Sequence, residues 1–436
     1  SEVFANGYRL EVSDSVTSSE RLTIYGGGNG KAINGDTDIR LYGGKYSRIY
    51  GGAYNAEVNG STNVIFGGNC NAGDGIDDGK SNISPCYVFG GGKGSEVSGE
   101  TNVTLLDDAV TKYIIGSGEG KAGTVGISTN ININGGKVMN VYAGSSGAAP
   151  ELKCDTNIII TDGVAEALFG GSEGTGLIGN THLYLLGGEI TRRVYSGCYN
   201  GTSGWLFISF NSSNHVNGTT NIVINDKVKL ATEASSFNNA GVFAGSRTSS
   251  KSKEETNTIV FLKGSYENQK TFIGDKSGWS GTFKSFESYT VKNNGNGKTI
   301  FVGKGILNVN PDWGFAAQIG EKIYGNENVN ISEGVTEVNF LKNFAINNIA
   351  KDKINKKITM NYTANNYFEN LVPTLYAAVY EKLSDGTIKL LNVSLGECTG
   401  ENVLNVRLPD NISTSDVYVI KAMFMDKTLK PLTYIY

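Results

Sequence analysis

The chain has 436 residues, of which 59 are glycine and 6 are proline, and its 38 Lys and Arg oppose 42 Asp and Glu for a net charge of −4. This balance excludes a nucleic-acid partner, which requires a basic stripe. No apolar run approaches the ~18 residues of a transmembrane segment, and the length allows two or three domains.

Residues 1–20 carry a short apolar alternation, which predicts a strand that covers the open end of the first coil of a solenoid. From residue 29 to 276 one frame repeats: Thr-Asn, an alternating apolar stretch, Gly-Gly, an apolar-aromatic pair and a glycine. The cleanest copy runs from Thr129 to Gly144. The anchor threonines of the eight copies are Thr37, Thr62, Thr101, Thr129, Thr156, Thr181, Thr220 and Thr256.

A repeat that keeps the order of its residues while the spacing between copies varies is typical of a solenoid. The apolar residues alternate with a period of two, which is the period of a strand. A single unit has no second layer against which to bury its apolar face, but stacked units do. We therefore predict an all-β fold with a parallel β-helix, right-handed because parallel crossovers are. Glycines mark corners that need positive φ, which aspartate tolerates, so Asp107-Asp108 replaces Gly-Gly in the third copy.

Towards the carboxyl end the frame fades while strand character persists, so residues 277–344 are predicted to form less regular coils. The polar stretch 345–356 marks a boundary. Beyond it, separate alternating strands and the hairpin signal Ser384-Asp385-Gly386 predict a small antiparallel β-sandwich over 353–436. The expected domains are a β-helix at 1–344 and this sandwich.

Two features resemble known proteins. The coil frame looks like the glycine-rich β-helix repeats of surface and secreted proteins from anaerobic, clostridial-type Gram-positive bacteria. The tail from Val417 to Asp426, followed by Leu429-Lys430-Pro431-Leu432, is similar to the end of a small sandwich in such secreted proteins. The resemblance implies an extracellular or cell-surface protein, its signal peptide removed, in a group tied to adhesion or glycans. No catalytic residue carries over from it.

Aromatic and basic side chains are the candidates for sugar contact. Tyr42 and Tyr46 lie outside the best apolar columns, so we expect them to be exposed, and exposed aromatic faces bind sugar rings. Arg192-Arg193 is the densest positive pair on a coil. It is suited to an acidic sugar, and the alternative interpretation is a solvated strand face.

A glycine-rich insertion carries Asp74, Asp77 and Asp78 within five residues. Hard cations prefer such oxygen ligands, which makes calcium the candidate cofactor; the alternative is a solvated acidic loop. Cys70 and Cys86 bracket the same insertion. They either close it as a disulfide or stay buried thiols.

Polygalacturonase-like β-helix enzymes carry Asn-Thr-Asp, paired aspartates, Gly-His-Gly and Arg-Ile-Lys, and the last two motifs do not occur here. Asp107-Asp108 is explained by turn chemistry, and His182 stands in the asparagine column. We therefore expect a monomeric extracellular or cell-surface binding or adhesion protein that recognises glycans without catalysis. The alternatives are a polysaccharide lyase or glycoside hydrolase of the β-helix type, and a structural stalk.

Overall fold

The computed structural model describes a defined part of the chain. The described residues are 1–18, 20–70, 87–120, 123–145, 151–199, 216–230, 241–243, 245–246, 256–274, 290–302, 305–309, 315–325, 327–332, 335–342, 344–352, 354–364, 373–383, 387–397, 401–408, 418–425, 427 and 429.

All regular structure in the described residues is β. The strands of the amino-terminal part are β1 (Glu2–Phe4), β2 (Leu10–Val12), β3 (Leu22–Tyr25), β4 (Thr37–Leu41), β5 (Tyr46–Tyr50), β6 (Thr62–Phe66), β7 (Tyr87–Phe89), β8 (Thr101–Ile115), β9 (Ser128–Tyr142), β10 (Asp155–Phe169), β11 (Leu177–Ile178), β12 (Thr181–Leu185), β13 (Glu189–Tyr195), β14 (Val216–Asn217), β15 (Thr219–Ile224), β16 (Lys229–Leu230), β17 (Gly241–Phe243) and β18 (Thr256–Gly274). The strands of the remaining part are β19 (Thr290–Val302), β20 (Gly305–Val309), β21 (Phe315–Ile319), β22 (Lys322–Tyr324), β23 (Asn328–Ile331), β24 (Val335–Lys342), β25 (Phe344–Asp352), β26 (Lys357–Ala364), β27 (Thr374–Lys382), β28 (Ile388–Glu397), β29 (Glu401–Arg407) and β30 (Tyr418–Met425).

The predicted parallel β-helix is confirmed by the pairing of equivalent strands from successive coils. One parallel sheet, here the threonine sheet, joins β4, β6, the first half of β8, β9 and β10, then β12 and β15. Its register aligns the anchor threonines from Thr37 to Thr220. A second parallel sheet, the aromatic sheet, joins β3, β5, β7, the second half of β8, β9 and β10, then β13 and β17.

A third column stands four residues before each anchor. Parallel bridges join Ile33 to Val58, Val58 to Val97, and Val97 to Val125. The column continues as Leu152, Leu177 and Val216, which are all buried. Every coil thus contributes two strands and one bridge to the inner wall, and the apolar residues of all three columns form the core. The amino terminus adds β1 to the aromatic sheet and β2 to the threonine sheet.

The anchor threonine is explained by a hydrogen bond across the coil. Thr129 Oγ1 donates to the Ala143 carbonyl at 2.5 Å, and Thr62 Oγ1 donates to the Gly90 carbonyl at 2.6 Å. Both threonines are fully buried. A buried carbonyl without a partner is costly, so the hydroxyl satisfies the backbone at the corner that follows the aromatic residue. The same bond occurs in the coils of Thr37, Thr101, Thr156 and Thr181.

The predicted aromatic column is present as a stack of parallel rings. Tyr25 lies on Tyr50 with centroids 4.8 Å apart, and Tyr50 lies on Phe89 at the same spacing. Tyr142 and Phe169 repeat the contact at 4.8 Å. The spacing equals the distance between hydrogen-bonded strands, so ring stacking follows from the parallel register. Ile115 interrupts the column between Phe89 and Tyr142.

Glycine occupies two kinds of corner for two reasons. Gly136 and Asp107 adopt φ of +69° and +53°, which confirms that aspartate replaces glycine at a left-handed position. Gly90 has no positive φ. A Cβ there would lie 2.3 Å from the Gly116 carbonyl oxygen, so close approach of the next coil selects glycine instead.

The eighth copy departs from the expected frame. Thr219 pairs with Thr256 and Ile222 with Ile259, so Asn257, not Thr256, aligns with the anchor Thr220. Ile222 and Ile259 are both fully buried. The alignment of inward apolar residues therefore decides the register, and the threonine of the sequence motif moves by one position.

The described chain divides into two compact units. The first comprises Ser1–Lys292, Thr299–Ile306 and Asn330–Thr336, and the second comprises Asn293–Lys298, Leu307–Val329 and Glu337–Tyr436. The predicted irregular coils of 277–344 are therefore shared between the units. Within the second unit, β21 pairs antiparallel with β22 around Gly320, whose φ of +59° suits a tight hairpin, so this part does not continue the parallel coils.

The carboxyl-terminal part is the predicted antiparallel β-sandwich. Its two sheets have the orders β25-β26-β29 and β28-β27-β30. Alternate residues of β26 and β27 face a shared core that includes Met360, Leu375, Val406 and Phe424. Most of the polar stretch expected to be a boundary, 345–356, instead lies in β25 (Phe344–Asp352), because an edge strand with one solvent-facing side accommodates polar residues.

Candidate functional site

The structure separates the two tyrosines that the sequence suggested for sugar contact. Tyr42 follows β4 and is half-buried. Tyr46 is buried, its hydroxyl donates to the Gly43 carbonyl at 2.7 Å, and its ring meets Phe66 edge-on. The expected exposure of Tyr46 is wrong. The register of β3 on β5 shifts after Leu22, and this irregularity turns Tyr46 inward.

Arg192 and Arg193 lie in β13 at a similar irregularity, where Ala165 pairs with Ile190 but Ala167 pairs with Arg193. The extra residue sends the two side chains to different surroundings. Arg192 forms an ion pair with Glu166 at 3.2 Å. The Arg193 guanidinium lies over the rings of Tyr199 and Phe169, 5.3 and 5.9 Å from their centroids.

The candidate calcium ligands Asp74, Asp77 and Asp78 lie outside the described residues, as does Cys86, so the calcium site stays a prediction. Cys70 is a free, buried thiol whose Sγ–H donates to the Gly43 carbonyl at 3.2 Å. Burial raises the pKa of this thiol to about 12. Within the described ranges, no group of three or more His, Cys, Asp or Glu has an arrangement that fits a metal ion.

Two columns of side chains flank the aromatic stack on the outside of the β-helix. The first lies two residues before each stacked residue and consists of Arg48, Tyr87, Tyr113, Asn140, Ala167 and Arg193. The second lies four residues after the stacked residue and includes Tyr54, Lys93, Glu119, Glu173 and Tyr199. Together they form a charged and aromatic surface along the coils.

The first concentration of charge on this surface is the Glu119 cluster, formed by Arg48, Tyr50, Tyr87 and Glu119. Arg48 forms an ion pair with Glu119 at 3.2 Å, and the Tyr50 hydroxyl also donates to this carboxylate. The guanidinium lies 5.7 Å from the Tyr87 ring centroid. The cation and the carboxylate of this cluster therefore satisfy each other.

The second concentration is the Glu173 cluster, formed by Tyr113, Tyr142, Glu173, Arg193 and Tyr199. The Tyr142 hydroxyl donates to Glu173 Oε1 at 3.4 Å. The Tyr142 and Tyr199 rings are tilted at 41° with centroids 6.3 Å apart. Burial raises the pKa of the Glu173 carboxyl, against the opposing effect of the Tyr142 hydroxyl. Burial, with smaller effects of Tyr87 and Glu173, raises the pKa of Tyr113 to about 12.

The two clusters use their charges differently. Among the described residues, neither Glu173 nor Arg193 takes part in an ion pair, and the buried Nε of Arg193 has no hydrogen-bond partner. Between Tyr113 and Arg193 the first column carries Asn140, which is half-buried, and Ala167, which is fully buried. Three strand spacings separate the two larger side chains, about 14 Å. The Glu173 cluster thus brings a cation, a carboxyl group and aromatic rings together on adjacent coils.

A separate cleft of about 460 Å³ lies at the corner lined by Asp107, Asp108, Lys137 and Asp162. Two of its carboxylates cap backbone groups: Asp107 Oδ2 accepts from the Gly68 N–H at 2.9 Å, and Asp162 Oδ1 accepts from the Gly163 N–H at 2.7 Å. For Asp107, this bond and the positive φ agree with the turn chemistry expected at the aspartate pair.

The sequence pattern pointed to Arg193 but not to Tyr113, Glu173 or Tyr199, and it placed Tyr142 only in the core stack. One signal was present: the position four residues after the stacked residue carries Tyr54, Lys93, Glu119, Glu173 and Tyr199, and none of them is aliphatic. That column is polar or aromatic throughout the described coils, unlike the apolar columns that fix the fold.

The described residues form no helix with the length and apolarity that crossing a membrane requires. Comparisons with protein-family profiles, curated proteins and solved structures found no match to this chain.

Proposed function

We propose that this protein is an extracellular or cell-surface binding protein that recognises glycans through the outer surface of its β-helix, without catalysing their cleavage. The observation that supports this function is the Glu173 cluster. It places unpaired polar groups beside tyrosine rings on a rigid scaffold, which is how small-molecule sites are commonly built.

A sugar ring suits these groups chemically. Its C–H face is apolar and packs on an aromatic ring such as Tyr199, while its hydroxyls make directional hydrogen bonds. A carboxyl group such as Glu173 and a guanidinium such as Arg193 make strong, geometrically specific bonds to such groups. Arg193 lies in β13, and a parallel bridge to Tyr199 holds Glu173. Because both positions are fixed in this way, little conformational entropy is lost when a ligand binds.

The main alternative is an enzyme. Glycoside hydrolysis ordinarily uses two carboxyl groups on opposite sides of the scissile bond, roughly 5 to 9.5 Å apart. The Glu173 cluster contains one carboxyl group, and the neighbouring Glu166 is paired with Arg192. This arrangement favours binding over hydrolysis. A structural stalk is the remaining alternative, and it has no need of an unpaired cation on its surface.

The test is an array of plant and host glycans probed with the whole chain. We expect binding to a subset of glycans, and Arg193→Ala should weaken it by at least about tenfold. Arg48→Ala in the Glu119 cluster is the matched control and should retain binding. Circular dichroism of each variant checks that the fold is preserved.

Two outcomes would contradict the proposal. If no glycan is retained, recognition fails and the stalk becomes the better explanation. If a bound glycan is shortened on prolonged incubation, and Glu173→Gln stops this, the non-catalytic part is wrong. Detection of the native protein in culture medium or by labelling of intact cells tests the extracellular location.

A further inference from the structure

We infer that the Glu173 cluster binds a carboxylate-bearing sugar unit, whose carboxylate pairs with the Arg193 guanidinium while Tyr199 borders the ring. This inference rests on the proposed glycan-binding function and specifies the chemical class of the ligand. It follows from the charges that the cluster leaves unpaired.

Arg193 differs in its ion pairing from the other two arginines beside the aromatic stack. Of the three arginines beside the aromatic stack, Arg48 is paired with Glu119 and Arg192 with Glu166. In the part of the chain that the structure describes, Arg193 has no carboxylate partner, and its contacts are with the faces of Tyr199 and Phe169. A guanidinium binds a carboxylate through two parallel hydrogen bonds. An acidic ligand supplies the partner that this arginine lacks.

Neighbouring aromatic rings fix the position of the Arg193 guanidinium. The rings of Phe169 and Tyr199 hold the Arg193 guanidinium in the column that continues through Ala167 and Asn140. Cation–π contacts order the side chain before a ligand arrives, which lowers the entropic cost of binding. The Tyr113 ring, stacked on Tyr87 at 4.7 Å, lies three strands from Arg193 in the same column.

Glu173 is the carboxyl group that an anionic ligand would meet. Burial, with a smaller effect of the Glu173 carboxylate, raises the pKa values of Tyr87, Tyr113 and Tyr142. Tyr199 and Arg193 act on the Tyr142 hydroxyl, which in turn donates to Glu173. The other nearby carboxylates, Glu119 and Glu166, are held in ion pairs. Among the described residues of the cluster, Arg193 is therefore the cation without an ion pair, and Glu173 is the carboxyl group without one.

Protonation of Glu173 removes its repulsion of an acidic ligand and gives it an O–H donor. Because burial raises the pKa of Glu173, the proton is taken up at a higher pH than by an ordinary glutamate. Binding of an anion beside it favours the protonated form further. We therefore expect affinity for an acidic sugar to rise as the pH falls, with uptake of a proton on binding.

The test is isothermal titration calorimetry of the whole chain with a galacturonate trisaccharide, its methyl ester and sialyllactose, at about pH 5 and about pH 7.5. The two acids distinguish a uronate from a sialic acid as the source of the carboxylate. We expect one acid to bind at least about tenfold more tightly than the ester, and more tightly at the lower pH. Titration in buffers of different ionisation enthalpy measures the proton uptake.

Three variants locate the effect. Arg193→Gln should abolish the preference for the acid over the ester. Glu173→Gln, which imitates the protonated carboxyl, should bind the acid at the higher pH as wild type does at the lower pH, without proton uptake. Arg192→Gln, the neighbouring paired arginine, is the matched control and should leave the preference unchanged.

The inference fails if Arg193→Gln still prefers the acid, or if the ester and neutral glycans bind as well as the acids do. In those outcomes glycan binding itself survives. If the array and the calorimeter both detect no glycan, the proposed function fails as well. Thermal unfolding of each variant separates a loss of binding from a loss of fold.

Discussion

The coils of the β-helix place like residues on like, whereas the sandwich brings unlike residues together. Tyr142 stacks on Phe169 and Thr129 pairs with Thr156, both one coil apart. In the sandwich, Tyr362 meets Phe424 edge-on at 5.9 Å, and Met360 and Leu375 belong to the same core. Stability in the coils is therefore a sum of nearest-neighbour contacts, while the stability of the sandwich depends on one closed core.

The largest expected effect is in the sandwich. Phe424 is fully buried, so Phe424→Ala should lower the free energy of unfolding by ~3–5 kcal/mol. Val403→Ala, in which the original side chain is exposed, is the control and should stay within ~0.5 kcal/mol. Hydrogen exchange should accelerate throughout β25 to β30. Acceleration restricted to β30 would show that this core does not unfold as one unit.

In the coils, Ile133→Ala removes a side chain that pairs with Leu105 and Ile160 in the core. Because Ile133 is fully buried, we expect a loss of ~2–5 kcal/mol in chemical denaturation. Asn132→Ala on the outer face is the control. Exchange should accelerate in β8, β9 and β10 and not in β4. Equal acceleration in β4 would contradict the nearest-neighbour description, and a loss under ~0.5 kcal/mol would contradict the inward face.

A smaller effect is expected from Thr129→Val, which keeps the shape of the side chain and removes its hydroxyl. The Ala143 carbonyl then loses its donor inside the coil, which should cost ~1–3 kcal/mol. Thr104→Val, on the outer face of the same sheet, is the matched control. Urea denaturation of both variants measures the difference. Equal stability of the two would mean that the hydroxyl bond does not explain the anchor threonine.

The smallest effect is expected from Asp107→Gly at a corner of the coil. Glycine removes the strain of a side chain at φ +53° and loses the bond to the Gly68 N–H, so the change should stay within ~0.5 kcal/mol. Gly136→Ala should by contrast clearly destabilise the fold, because the residue has a φ of +69° and the new Cβ would lie 2.4 Å from the Ala109 carbonyl oxygen. Melting temperatures of both variants test this, and a large loss with Asp107→Gly would assign the aspartate a role beyond the turn.

The sequence by itself determined the repeat, the inward columns and the class of fold. These follow from local rules: a period of two for a strand, β-branched and aromatic residues inside, and glycine or aspartate at the corners. Thr129, Ile133 and Tyr142 all lie where the frame placed them. Because stacked coils repeat the same environment, a position that is ambiguous in one copy of the repeat can be assigned from the other copies.

Only the tertiary structure determined the effects of the register shifts between neighbouring strands. Strand register turned Tyr46 inward, moved the eighth anchor to Asn257 and separated Arg192 from Arg193. The Glu173 cluster also required three dimensions, because its members come from four coils and no motif links them. The pairing of charges depends on the distance that a side chain spans between coils, and a one-dimensional pattern does not contain that distance. Arg48 reaches Glu119 and forms an ion pair, whereas Arg193 forms none with the described residues.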